Sequence, residues 1–148
     1  MVLIATLISS CKYSEKHEDV KTTSEIIQDE TDLLSTAWMD DIQLENGKKW
    51  DANLETTEGV QKMQDLLKVE VTTSIEDYHQ LASQLNDVKN NVLKECTMKG
   101  ASHDNLHIWL YPLIEKIAAL SETNTIEEAS KIKQSISENL DVYSDYFK

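Results

Sequence analysis

Through the second half of the chain, apolar positions recur at alternating intervals of three and four. That spacing gathers side chains on one face of an α-helix. The clearest run is Tyr78, Leu81, Leu85, Val88 and Val92, which Cys96 continues one turn later. A second stripe holds His103, Leu106, Leu110, Leu113, Ile117 and Leu120, widened by His107 and Ile114. A third holds Ala129, Ile132, Ile136, Leu140, Tyr143 and Phe147. Val60, Met63, Leu66 and Leu67 mark a shorter helix over about residues 57–68. Helix starts are predicted at two capping boxes, Thr73-Ser-Ile-Glu76 and Thr125-Ile-Glu-Glu128, and at Ser102 as an N-cap. Gly100 is the expected stop of the helix before Ser102. Pro112 lacks an amide donor and lies inside a helical pattern, so a kink is expected there and not an end.

Short connections make successive helices antiparallel neighbours, and four such helices bury their apolar faces together. The expected fold is all-α, an antiparallel four-helix bundle over residues 36–148. With only 3 Gly and 1 Pro in 148 residues, a strand-rich alternative has too few turns to draw on. Just before the helices, Asn46-Gly47 sits between short alternating segments and predicts a hairpin or extended lead-in. Trp38 and Trp50 flank that turn as packing anchors at one end of the bundle.

Ahead of the bundle the pattern changes twice. Residues 1–10 form a signal-like apolar segment ending in Leu7-Ile8-Ser9-Ser10-Cys11, which resembles a bacterial lipobox with Cys11 as the lipidated residue. A basic n-region is the one part of that pattern missing from it. The apolar run is far too short to span a bilayer, so attachment is expected through lipid on Cys11 and not through a transmembrane helix. Residues 11–35 are rich in Lys, Glu, Asp, Ser and Thr and read as a flexible tether, with His17 solvated in it.

Charge narrows the partners. Against 14 basic residues stand 27 acidic ones, a net charge of −13, which excludes nucleic acid and opposes docking on an anionic membrane face. Most of this acidity is a solvated surface. The 2 Cys, at positions 11 and 96, imply no disulfide framework.

One cluster carries chemistry. Where the second and third helices meet, the chain reads Cys96-Thr-Met98-Lys-Gly100-Ala-Ser-His103-Asp104-Asn-Leu-His107. A spacing of four places His103 and His107 on one helical face, where both rings can approach a single ion. Cys96 adds a thiolate and Met98 a thioether, a set suited to Cu(I), or to zinc without the Met. Asp104 is positioned to orient an imidazole from behind. The positive end of the helix dipole helps keep His103 neutral. The competing account makes Cys96 a small buried residue, Met98 a gap filler and the two His polar residues at a bundle end. His79 lies roughly 25 Å away along its helix, at about 1.5 Å per residue, and is left out of the cluster.

Cys96-x-Met98-Lys99-Gly100-x-x-His103-Asp104-x-Leu106-His107-x-Trp109-Leu110, with Asn46-Gly47-x-Lys49-Trp50, resembles a group of small bacterial envelope lipoproteins. The resemblance covers most of the chain after the tether. It implies an envelope address, facing the periplasm or the exterior, and a bundle, and brings no activity with it.

The expected function is therefore a membrane-tethered copper- or zinc-binding bundle that is not an enzyme. The alternative is an acidic interaction or structural module that meets an envelope protein without any metal. No Gly-rich phosphate loop calls for a nucleotide, no Cys-x-x-Cys-His for haem, and no HExxH for a zinc protease. The Glu-x-x-His pairs of di-iron bundles are missing from the core stripes.

Overall fold

The computed structural model describes residues 32–148. Cys11, His17, the lipobox and nearly all of the tether lie outside the described residues. Four helices follow a single 3-10 turn at Ala37–Asp40: α1 Leu54–Val69, α2 Ile75–Glu95, α3 Ala101–Glu122 and α4 Ile126–Tyr146. Each packs against the next, and α1 also packs against α4, closing a four-helix bundle in which the α2–α4 diagonal is the weaker contact. The expected architecture is the one observed. Among the described residues no helix is long and apolar enough to cross a membrane.

The core is built from the predicted stripes. Leu81, Leu85, Leu106, Leu110, Leu113, Leu120, Ile132, Ile136 and Leu140 are all essentially sealed from solvent. Burying each such side chain stabilises the fold by about 1.5 to 3 kcal/mol before ordering costs. Gly59 on α1 lets that helix sit close to α2: a Cβ there would overlap the Val92 side chain.

Helix ends differ from the expected ones by small, explicable amounts. The cap of α2 is Ser74, not Thr73. Asp77, one residue past the expected Glu76, closes the box, its carboxylate accepting from the Thr73 amide at 2.9 Å, the Thr73 hydroxyl at 3.0 Å and the Ser74 amide at 2.8 Å. Those backbone donors, the Thr73 amide first, hold the Asp77 carboxyl down at about 2. Gly100 does not stop α2, which ends at Glu95 with Cys96 as its cap; it is the N-cap of α3 instead, at φ +62°. Glycine reaches that conformation without steric cost, which frees Ser102 from capping. Its hydroxyl donates to the Lys99 carbonyl. Thr125 caps α4 as expected, accepting from the Glu128 amide. Pro112 lies within an unbroken α3.

The lead-in is a minimal hairpin. Glu45 and Lys48 pair through two backbone hydrogen bonds across Asn46 (φ +53°) and Gly47 (φ +81°), the two positive φ values a type I′ turn demands. Beyond it, Trp50 pairs in parallel with Phe147, its amide donating to Tyr146 and its carbonyl accepting from Lys148. The chain's last residues thus clip the lead-in onto the bundle. Trp38 and Trp50 are half-buried against the core as anchors, and so are Leu33 and Leu34, which the sequence pattern assigns to the tether.

Candidate functional site

The lead-in, the C-terminus of α2, the N-terminus of α3 and the C-terminus of α4 share one end of the bundle. Two contacts tie this end together: the Asn53 amide group donates to the Glu95 carbonyl, and the Gln43 amide donates to the Asn105 side chain at 2.7 Å. All the candidate ligands lie here, because α2 ends just before Cys96 and α3 begins just before His103.

Of the four, the structure brings two together. His103 and His107 stand one turn apart on α3 with their Nε2 atoms 3.0 Å from each other and ring centroids at 4.3 Å. Tyr111, a further turn along, sets its ring edge against His107 at 5.1 Å and is 58 % exposed. With no ion between them, one imidazole donates and the other accepts, so the pair shares a single proton. Partial burial lowers the His107 pKa, the neighbouring His103 lowers it further, and Asp104 opposes both. The ring therefore stays neutral to a lower pH than an ordinary histidine, which is the state a metal needs. The Asp104 carboxylate lies 3.7 Å from His103 Nδ1, within ion-pair reach and behind the ring, on the side away from His107.

Cys96 does not join them. Among the described residues no three His, Cys, Asp or Glu side chains converge as a metal group. The Cys96 thiol is free and half-buried against the core, close enough to Tyr143 to add to the upward pKa shift that burial gives that phenol. Met98 is likewise half-buried against the core. Cys96, the extended residue that caps α2, stays with the core, whereas the His103 and His107 rings lie on the partly exposed side of α3. His79 is at the opposite end, its Nε2 2.8 Å from the Thr123 carbonyl.

A second polar cluster lies inside the bundle and was not legible as a site. Lys116 is 1 % exposed, and its ammonium donates to Asn139 Oδ1 at 3.1 Å. The Asn139 side chain in turn donates to the Trp109 carbonyl, and the Trp109 indole donates to the Asn139 carbonyl at 2.9 Å. Trp109 is thus pinned to α4 from both its ends. Burial lowers the Lys116 pKa, with Glu138 acting weakly against it.

Comparison with known proteins adds nothing to these contacts: no family model, no curated protein and no solved structure matches the chain.

Proposed function

We propose that this chain is a lipid-tethered, non-catalytic helical module of the bacterial cell envelope that binds a copper or zinc ion through His103 and His107. One observation carries the metal reading: the approach of the two Nε2 atoms to 3.0 Å. Two nitrogens on one ion with bonds of about 2.0 Å lie about 2.8 Å apart at a right angle and about 3.3 Å apart at a tetrahedral one. The pair falls between these values, so the two nitrogens can take one ion without changing their separation, each ring swinging about 35 to 45° so that its lone pair leaves the N–N line and points at the ion. Tethering through Cys11 follows from the lipobox-like sequence alone. The non-catalytic reading rests on the sequence alone, which carries no phosphate loop, haem-attachment or HExxH motif.

The test is titration of the full reduced chain with Zn(II) and Cu(I), beside His103→Ala, His107→Ala and Cys96→Ser. The His variants should bind about tenfold or more weakly, with Cys96→Ser retaining zinc uptake. Weak uptake equal in all four proteins would remove the metal reading. The competing role, an interaction module without a metal, has its own supporting observation, which is apolar and not acidic. Val69, Val71 and Ile126, 69 %, 79 % and 50 % exposed, sit at the end of the bundle opposite the lead-in.

A further inference from the structure

The His103/His107 pair offers an ion only two ligands. Zinc in a closed protein site takes four, and among the described residues no third His, Cys, Asp or Glu side chain converges with the pair on a common centre, Asp104 lying on the Nδ1 side of His103. The rest of the coordination shell therefore comes from elsewhere. The surface around the pair suggests what supplies it. In a chain of net charge −13, α3 carries no Asp, Glu, Lys or Arg from residue 105 to 114; α2 has a similar uncharged run at 78–86, but only the run on α3 adjoins a pair of histidines one turn apart. His103, His107, Ile108 and Ile114 are only half-buried along this stretch, and the Tyr111 ring is well exposed. This is where the bundle presents polarisable, uncharged surface instead of carboxylates.

We propose that the pair is half of a metal site, completed by the same pair on a second copy of this chain, with two α3 faces meeting around one zinc-class ion. This rests on the metal-binding reading above. A two-fold axis through the ion places the same patch on both partners, so each copy contributes what it lacks: two imidazoles to a set of four. Two acidic chains repel, but beyond about 8 to 10 Å that repulsion is screened at physiological ionic strength. Within that range the uncharged stretch and the ion's positive charge remove the largest local penalties. Tyr111, one turn beyond His107, lies where the two helices would touch, and its ring provides contact area that a carboxylate would not. Asp104 on each copy lies behind a ligand ring and offsets part of the ion's charge.

The experiment is Zn(II) titration of the full chain, with stoichiometry from calorimetry and mass from sedimentation velocity, alongside His107→Ala and Tyr111→Glu. Saturation at one zinc per two chains with a doubling of mass supports the shared site. So does an apparent affinity that weakens on tenfold dilution of the chain. His107→Ala should lose both zinc and dimer. Tyr111→Glu should still take up zinc, now one per chain, and remain a monomer. Saturation of the unaltered protein at one zinc per chain with no change of mass overturns the shared site while leaving metal binding in place. Absence of zinc uptake overturns both.

Discussion

Helix α3 carries two polar clusters built on opposite terms. Roughly two and a half turns after His107, Lys116 is turned inward, 1 % exposed, and every member of its cluster meets a partner across the α3–α4 seam. The His103/His107 pair is turned to the surface, and its partners, each other, Asp104 and the Tyr111 ring, all lie on α3 itself. Burial explains the contrast. A polar group inside a bundle costs several kcal/mol unless it is paired, so an inward polar residue persists only with its acceptor fixed in place. A pair at the surface escapes that demand and keeps spare valence. The buried cluster therefore belongs to stability, binding is the role proposed for the exposed one, and each assignment can be broken separately.

The largest effect is expected from Asn139→Leu. It removes the acceptor of the Lys116 ammonium and the donor to the Trp109 carbonyl, leaving a buried cation unpaired. The cost should be about 3 kcal/mol, read as a shift of the urea midpoint. A loss near 0.5 kcal/mol would mean that Lys116 reaches water easily and that the cluster is not a structural lock.

Lys116→Met should do much less, changing stability by about 1 kcal/mol in either direction, because it deletes the buried charge together with one of its hydrogen bonds. Its pH signature is sharper than its size. Burial lowers the folded-state pKa of Lys116 below that of the unfolded chain, so the unfolded state holds more protons between the two values. Stability of the unaltered protein should rise as pH climbs from the lowered folded value towards about 10.4, and no further gain is expected from this group above that. The Met variant should lack that rise. A parallel profile in both proteins would place the titration elsewhere.

The same contrast explains what the sequence could and could not disclose. Periodicity reports which face of a helix is apolar, so the stripes on α2, α3 and α4 predicted the buried Leu and Ile residues and the bundle with them. It is blind to polar residues that enter the core through a mutual contact. Lys116 and Asn139 belong to the inward faces of α3 and α4, but each is tolerable there only because of the other, and that pairing is a property of how two helices meet. Trp109 is fully buried yet stands outside the stripe of α3, although about a turn of helix separates it from Leu106 and from Leu113. Spacing did disclose the His pair, because a separation of four is itself the geometry. It misled for the cluster as a whole: Cys96 does pack against the core as its stripe implies, but the same stripe reading placed the two His rings inward, and they lie at the surface. The Trp50–Phe147 clip was equally hidden: nothing in either segment points to the other end of the chain.

The smallest stability effect should come from the exposed pair, and its smallness is the informative part. Without metal, His103→Ala and His107→Ala remove half-exposed rings that share one proton and hold no other element in place, so each should change stability by no more than about 0.5 kcal/mol. The His107 pKa is lowered by burial and by His103, so the unfolded chain binds the proton more readily. Stability should therefore sag slightly as pH falls below about 6.5, the ordinary histidine value, and His107→Ala should flatten that slope. With saturating zinc the order reverses: the unaltered protein gains stability by mass action, about 2.7 kcal/mol at a hundred times the dissociation constant, and the His variants gain little. If the His variants unfold early without metal, the pair is a structural element like the Lys116 cluster. If they differ from the unaltered protein only when zinc is present, the exposed face of α3 exists for what it binds.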